Sequence, residues 1–192
     1  MNKKDIIDFF NTKASVWDDE SLRDDKTIAQ ILDMADVSAG KDVLDVACGT
    51  GFLFDDYYKR NVSSLTGIDI SSEMLKVCLK KYPDAHLICD DAESHAFNRK
   101  FDVIIIHNAF PHFCNCEALF KNLVSALKEN GRITVSHDMS REALNKFHDK
   151  HAVKVSNPLP DAYELKSIMD NFVYTDRIIS DTKMYLVSGI KK

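Results

Sequence analysis

Val43-Leu44-Asp45-Val46-Ala47-Cys48-Gly49-Thr50-Gly51 reads as a buried strand that breaks into a glycine turn and opens a helix. Val43, Leu44 and Val46 supply the apolar run of a parallel strand covered on both faces, and Asp45 is its one charged member. Gly49 and Gly51 can take backbone angles closed to other residues and let a ligand approach the main chain, which suits a nucleotide-like ligand. A second apolar run, Leu65-Thr66-Gly67-Ile68, ends on Asp69 and leads into Ser71-Ser72-Glu73-Met74-Leu75, a helix start with a hydroxyl cap. An acid at the tip of the next strand is placed to accept both hydroxyls of a ribose. Dinucleotide-binding turns carry a third glycine three residues after the second. Here that position is Phe54, so the fingerprint is incomplete and tight helix packing over a pyrophosphate is disfavoured.

Working outward, Leu44, Leu65 to Ile68, Ala85 to Cys89, Phe101 to Ile106 and Arg132 to His137 centre five strands. Met74, Leu75, Cys78, Leu79 and Tyr82 recur at helical spacing between them, as do Leu119, Phe120, Leu123, Val124 and Leu127, a helix expected to stop at Asn130-Gly131. Strands separated by helices predict right-handed crossovers and an α/β, Rossmann-like, doubly wound and mostly parallel sheet. Phe172 to Ser180 and Lys183 to Ile190 are joined by a link too short for a crossover and are predicted to pair antiparallel. The segment Ser140 to Pro160 begins as a helix and ends in Asn157-Pro158-Leu159-Pro160; beyond the strand edges it would wall a substrate pocket.

A chain of 192 residues, 45% hydrophobic, is expected to form one domain over residues 1–192, with 1–35 as an N-terminal helical lid. The first residues carry no signal-peptide pattern and no apolar run approaches a membrane span. Five cysteines, an odd number, fit reduced thiols in a cytoplasm. The net charge of −5 gives no general attraction to phosphate backbones, so neither nucleic acid nor membrane is expected as a partner.

Taken in order, these pieces resemble the class I S-adenosylmethionine-dependent methyltransferases, of the small single-domain kind related to ubiquinone and menaquinone biosynthesis enzymes. Phe9-Phe10-Asn11-Thr12-Lys13-Ala14-Ser15-Val16-Trp17-Asp18 resembles the family's N-terminal segment that closes over the cofactor. Asp45 to Gly51 resembles its glycine motif, Gly67 to Asp69 its ribose-binding strand end, and Asp90-Asp91-Ala92-Glu93 its adenine-binding motif. Phe101-Asp102-Val103-Ile104 resembles the start of its fourth strand and Tyr185-Leu186-Val187-Ser188-Gly189 its last, the antiparallel pair making a seven-stranded sheet.

The resemblance implies S-adenosyl-L-methionine as cofactor. It implies binding roles for Trp17, for Asp45, Ala47, Cys48, Gly49 and Gly51, for Asp69, Ile70 and Met74, and for Asp90, Asp91, Ala92 and His107. Asp69 would hold the ribose; Asp91 and Ala92 would read adenine, with Asp90 as the rival carboxylate. Asp45, costly if unpaired in an apolar strand, is expected to meet backbone N–H groups or the cofactor's amino group. Cys48 reads as a small packing residue, since no base is assigned beside it.

Five of the seven histidines follow Ile106: His107 and His112 after strand four, His137 at the end of strand five, His148 and His151 on the next helix. His112, His137 and His148 are predicted to converge beside the transferred methyl group as catalytic residues. Three roles stay open for them: base, clamp on the acceptor, or metal site. Cys114 and Cys116 lack the second pair of a zinc site. The function expected is methyl transfer to a small-molecule acceptor; the alternatives are a metal-binding methyltransferase using the histidines and a non-catalytic S-adenosylmethionine-binding protein.

Overall fold

The computed structural model describes residues 1–20, 23–152 and 154–192, without the side chains of Glu20 and His151, so the expectation for His151 lies outside the described residues. Seven strands form one sheet: β1 (Asp42–Val46), β2 (Ser64–Asp69), β3 (His86–Cys89), β4 (Phe101–His107), β5 (Leu127–His137), β6 (Val173–Ser180) and β7 (Tyr185–Lys191). Their order is β3-β2-β1-β4-β5-β7-β6. The first five run parallel, while β7 pairs antiparallel with both β5 and β6. The tail hairpin is closed by Asp181, whose carboxylate accepts from Lys183 N at 2.7 Å and Met184 N at 2.9 Å.

The period-two alternation of the strands sorts the core into two layers. Val43, Val103 and Ile105 face one side, where Ile28 and Leu32 of α3 (Asp25–Met34), Phe54 and Tyr57 of α4 (Phe54–Lys59) and Leu75 and Cys78 of α5 (Ser72–Lys81) cover them. Leu44, Val46, Ile104 and Ile106 face the other, against Leu119, Phe120 and Leu123 of α6 (Cys116–Ser125) and Leu165 and Met169 of α8 (Ala162–Met169). The remaining helices, α1 (Lys3–Lys13), α2 (Trp17–Glu20) and α7 (Arg141–His151), contribute side chains to a cavity at the carboxyl ends of the strands.

Phe54 fills the place where a dinucleotide fold has its third glycine. Its ring reaches Gly67 on β2, where an added Cβ would stand 3.0 Å from Phe54 Cζ and 2.7 Å from Cys48 Sγ. Three expectations are corrected. Helix α6 ends at Ser125, before Asn130-Gly131. Leu127 already pairs with Phe101, and the register then shifts so that Arg132 faces Val103, leaving Lys128 to Gly131 as an excursion within β5. Asn130 is left-handed there (φ 60°), and a Cβ on Gly131 would meet the Lys128 and Phe101 carbonyl oxygens at 2.9 and 3.1 Å. Leu79, placed on the apolar face of α5 by its spacing, is 47% exposed, and Tyr82 is that helix's C-cap. No helix among the described residues is long and apolar enough to cross a membrane.

Candidate functional site

A cavity of about 740 Å³ lies along the carboxyl ends of β1, β2, β4 and β5, roofed by α1 and α7. Two strand tips are held in left-handed conformations without glycine, Ala47 (φ 56°) after β1 and Asn108 (φ 53°) after β4, and both residues line the cavity. Such conformations cost about 1 kcal/mol or more each and cluster at functional sites.

Of the residues singled out for the cofactor, Trp17, Asp45, Ala47, Cys48, Gly49, Asp69, Ile70, Met74, Asp90, Asp91, Ala92 and His107 all line this cavity. Gly51 does not. It packs the turn onto α5, where a Cβ would stand 2.9 Å from both Cys78 Sγ and the Tyr82 ring, and its φ of 84° also calls for glycine. Cys48 is buried, which pushes its thiol well above the ordinary range, as suits a packing residue.

Asp69 ties the glycine turn to the start of α5: its carboxylate accepts from Gly49 N and from Ser71 N, each at 2.8 Å. Burial pushes this carboxyl up to about 6, against the pull of those N–H groups. Asp45, 3% exposed, has burial, the Tyr57 hydroxyl and Asp69 acting on its carboxyl and no backbone N–H, so of its two expected partners the cofactor's amino group is the one left open. Burial pushes it up to about 8, opposed by the Tyr57 hydroxyl and reinforced by Asp69. A buried acid left this way favours a donor or cation arriving from the cavity.

The adenine-motif acids are already engaged. Asp90 accepts from Asp91 N at 2.8 Å and meets His95 Nδ1 at 2.7 Å. Asp91 accepts from Glu93 N at 2.9 Å through Oδ1 and pairs through Oδ2 with Lys3 of α1. Glu93 accepts from Cys114 N (2.6 Å) and Asn115 N (2.9 Å) and pairs with Lys3 at 2.7 Å. Burial opposes the charge on Lys3, but Asp91 and Glu93 together hold its ammonium above lysine's ordinary value. Lys3 was not singled out from the sequence and Glu93 was given no role beyond its place in the motif; the acidic run from Asp90 to Glu93, which needs a counter-charge, was the available signal. Phe10 completes the roof, with its ring 5.5 Å from Trp17 and 4.9 Å from His112, centroid to centroid.

His112 and His148 line the cavity with ring centroids 5.2 Å apart. Burial lowers both, His112 to about 4. The His112 Nδ1 lies 2.8 Å from the Val155 carbonyl oxygen. His148 Nδ1 is buried without a partner. His107 stacks on Phe52 (5.8 Å) and sets Nδ1 3.1 Å from Ser136 Oγ, while its Nε2 is buried and unpartnered.

His137 does not join the cavity wall. It lies two residues beyond Val135, so strand alternation turns it to the face that α8 covers; it is fully buried there, 6.1 Å from the Tyr185 ring, and neither ring nitrogen has a partner. Burial holds it well below the ordinary histidine range. The His107, His112 and His148 imidazoles are near enough to lower it further, so His137 stands behind the cavity wall and not on it. Among the described residues no three His, Cys, Asp or Glu side chains are grouped to hold a metal ion, so neither the histidines nor Cys114 and Cys116 offer a ligand set.

Comparison with known proteins matches a methyltransferase domain to residues 43–131. A malonyl-[acyl-carrier protein] O-methyltransferase of Acetivibrio thermocellus is 28% identical over 141 residues, 71% of this chain and 50% of that protein. A demethylmenaquinone methyltransferase of Thermotoga maritima is 34% identical over 96 residues, 48% of this chain and 42% of that protein. The chain thus spans half the length of these curated relatives or less. Among solved structures, magnesium protoporphyrin IX methyltransferase from Synechocystis, with S-adenosylhomocysteine bound, superposes with a TM-score of 0.74 at 17% identity over 100% of both chains. A Haloferax volcanii methyltransferase in complex with its Trm112 activator gives 0.79 at 15% identity, over 95% of this chain and 97% of that one. The matched domain and these relatives make the chain similar to S-adenosylmethionine-dependent methyltransferases, among them an enzyme of menaquinone biosynthesis, and the seven-stranded sheet is the fold of the solved methyltransferases.

Proposed function

We propose that this chain transfers a methyl group from S-adenosylmethionine to a small-molecule acceptor held in the cavity at the strand tips. The observation that carries the reading is the convergence of Asp69, the Gly49 turn and Asp91 in the same cavity as His112 and His148. The residues suit the cofactor's parts. Asp69 keeps lone pairs beyond the two it gives to Gly49 and Ser71, enough for ribose hydroxyls. Asp45, a buried acid on the cavity wall, suits the ammonium of the methionine moiety, whose positive charge would draw off its proton. Asp91 and Ala92 suit the adenine edge, with Asp90 turned to His95.

When bound, S-adenosylmethionine supplies an electrophilic methyl group on a sulfonium. The protein's own work is alignment and exclusion of water. Phe10 and Trp17 close the cavity on the α1 side; Leu144 and Phe147 of α7 close it on the acceptor side. His112 and His148 are the groups that receive the acceptor's proton or hold its polar atom. The net charge of −5 supports a small acceptor over a phosphate-backbone partner, and the odd cysteine count supports a reducing cytoplasm.

Calorimetric titration with S-adenosylhomocysteine tests the cofactor reading, and release of S-adenosylhomocysteine over a metabolite panel tests turnover. Binding without turnover on any acceptor would support a non-catalytic binding protein, and no binding at all would remove the proposal.

A further inference from the structure

We propose, resting on the methyl-transfer reading above, that the acceptor is an uncharged, largely apolar molecule that donates the hydrogen of its methyl-accepting oxygen or nitrogen to Nε2 of His112, and that anionic acceptors are rejected. The tautomer of His112 is set by its surroundings. A carbonyl oxygen only accepts, so the 2.8 Å approach to Val155 O puts the hydrogen on Nδ1. The Ser156 hydroxyl, 3.1 Å from the same nitrogen, adds to that side. Nε2 is then the remaining polar atom of a ring that lines the cavity, and in the neutral ring it is an acceptor. Burial keeps the ring neutral, since it lowers His112 to about 4.

The walls around it decide the rest. Phe10, Phe113, Met139, Leu144 and Phe147 give this half of the cavity an apolar surface. Its charge runs against anions: among the described residues six acidic side chains line the cavity, of which burial holds Asp45 protonated, against two lysines and no arginine. Lys3 is held by Asp91 and Glu93, and Lys13 sits in the last turn of α1. Asp138, which accepts from Asn108 Nδ2 at 2.8 Å, adds a carboxylate on the acceptor side. A phosphate or carboxylate entering here would lose water beside apolar rings and a like charge. In the reaction the acceptor's lone pair forms the new bond to the methyl carbon as the methyl–sulfur bond breaks. That electron pair returns to sulfur, and the acceptor's proton passes to His112 Nε2 and on to water.

Two probes of matched shape test this on the full chain saturated with S-adenosylhomocysteine: 4-propylphenol and 4-propylbenzoate, each titrated by calorimetry. The phenol is expected to bind at least about tenfold more tightly. His112→Phe should weaken the phenol about fivefold, while His112→Gln, whose amide oxygen still accepts, should restore most of the loss. Asp138→Asn should narrow the gap by improving the benzoate. Benzoate binding as tight as phenol, or a phenol preference undiminished in a folded His112→Phe, overturns the proposal; if that variant does not fold, the Asp138→Asn comparison decides, and an unchanged gap there overturns it. If S-adenosylhomocysteine does not bind, the methyl-transfer reading fails by itself, and the same two probes titrated alone still decide the polarity of the pocket.

Discussion

Asp45→Asn separates the energetics of the site from those of the fold. In the folded protein the Asp45 carboxyl is pushed from an ordinary 3.8 to about 8, first by burial and further by Asp69, so it stays protonated through neutral pH. In the unfolded chain it ionises near 3.8. Because folding then takes up a proton, this group's contribution to stability is full below pH 4 and is lost as pH rises toward 8. At about 1.36 kcal/mol per pH decade the gap sets a ceiling near 6 kcal/mol, and relaxation with water entry reduces it to about 2–3 kcal/mol. For a chain of this size that is about 5–10 °C in Tm. The asparagine has nothing to titrate. The difference in Tm, variant minus parent, is therefore expected to grow by about 5–10 °C between pH 4.5 and 8.5. His107 and His112, both lowered to about 4 by burial, act in the opposite direction, adding stability as pH rises from 4 to 6.5, but they are common to both proteins and cancel. Melting curves at half-unit pH steps, without cofactor, measure it. A constant offset across the range would mean that Asp45 is ionised or solvated in the folded state, and the reasoning would fail.

Asp69→Ala is expected to weaken S-adenosylhomocysteine at least about tenfold in calorimetry, through loss of the ribose contacts and of the bond to Gly49 N; equal affinity would exclude the ribose role. Gly67→Ala should destabilise by about 1–3 kcal/mol, because its Cβ would stand 2.7 Å from Cys48 Sγ. Adding Cys48→Ala should recover part of that loss, and strictly additive melting shifts would show that the sulfur is not the obstacle. Lys3→Met should speed hydrogen exchange over residues 5–18, since Lys3 anchors α1 to Asp91 and Glu93; unchanged exchange would show that other contacts hold the roof.

Much of the fold was legible because it rests on local patterns with wide margins. The apolar runs of β1, β2, β4 and β5 and the short link at Asp181 were enough for the parallel direction of the first strands and for the antiparallel pair. The failures came where a tertiary contact outweighed the local signal. Asn130-Gly131 reads as a helix stop, yet Leu127 pairs with Phe101 first, because burial of that leucine in the sheet outweighs another half-turn of helix. His137 was placed by the strand-end rule alone. Its face depends on parity within β5, and Val135, two residues earlier, already pointed to the buried side. For Lys3 the acidic run announced only that a counter-charge was needed; a single lysine 88 positions from Asp91 has no pattern that says which one.

Left-handed residues occur at both ends of the sheet, Asp36, Asn61 and Asn130 among them, but the buried acids and unpartnered ring nitrogens that line a cavity lie at the carboxyl ends. Ala47 and Asn108 hold left-handed backbone without glycine, Asp45 and Asp69 are acids pushed up by burial, and the unpartnered nitrogens of His107 and His148 belong to rings that line the same cavity. The opposite ends of the strands satisfy their charges: Asp42 takes Lys128 at 2.7 Å and Arg99 at 3.2 Å, and Asp102 takes Lys128 at 2.8 Å. Both ends belong to the same strands of the same sheet, so the asymmetry does not come from topology. It follows from what each end must do: the carboxyl ends keep acceptors and donors unmatched within the protein so that a bound molecule can match them. The same groups that lower the stability of the empty protein are therefore those through which a cofactor adds to it, and the two cannot be optimised together.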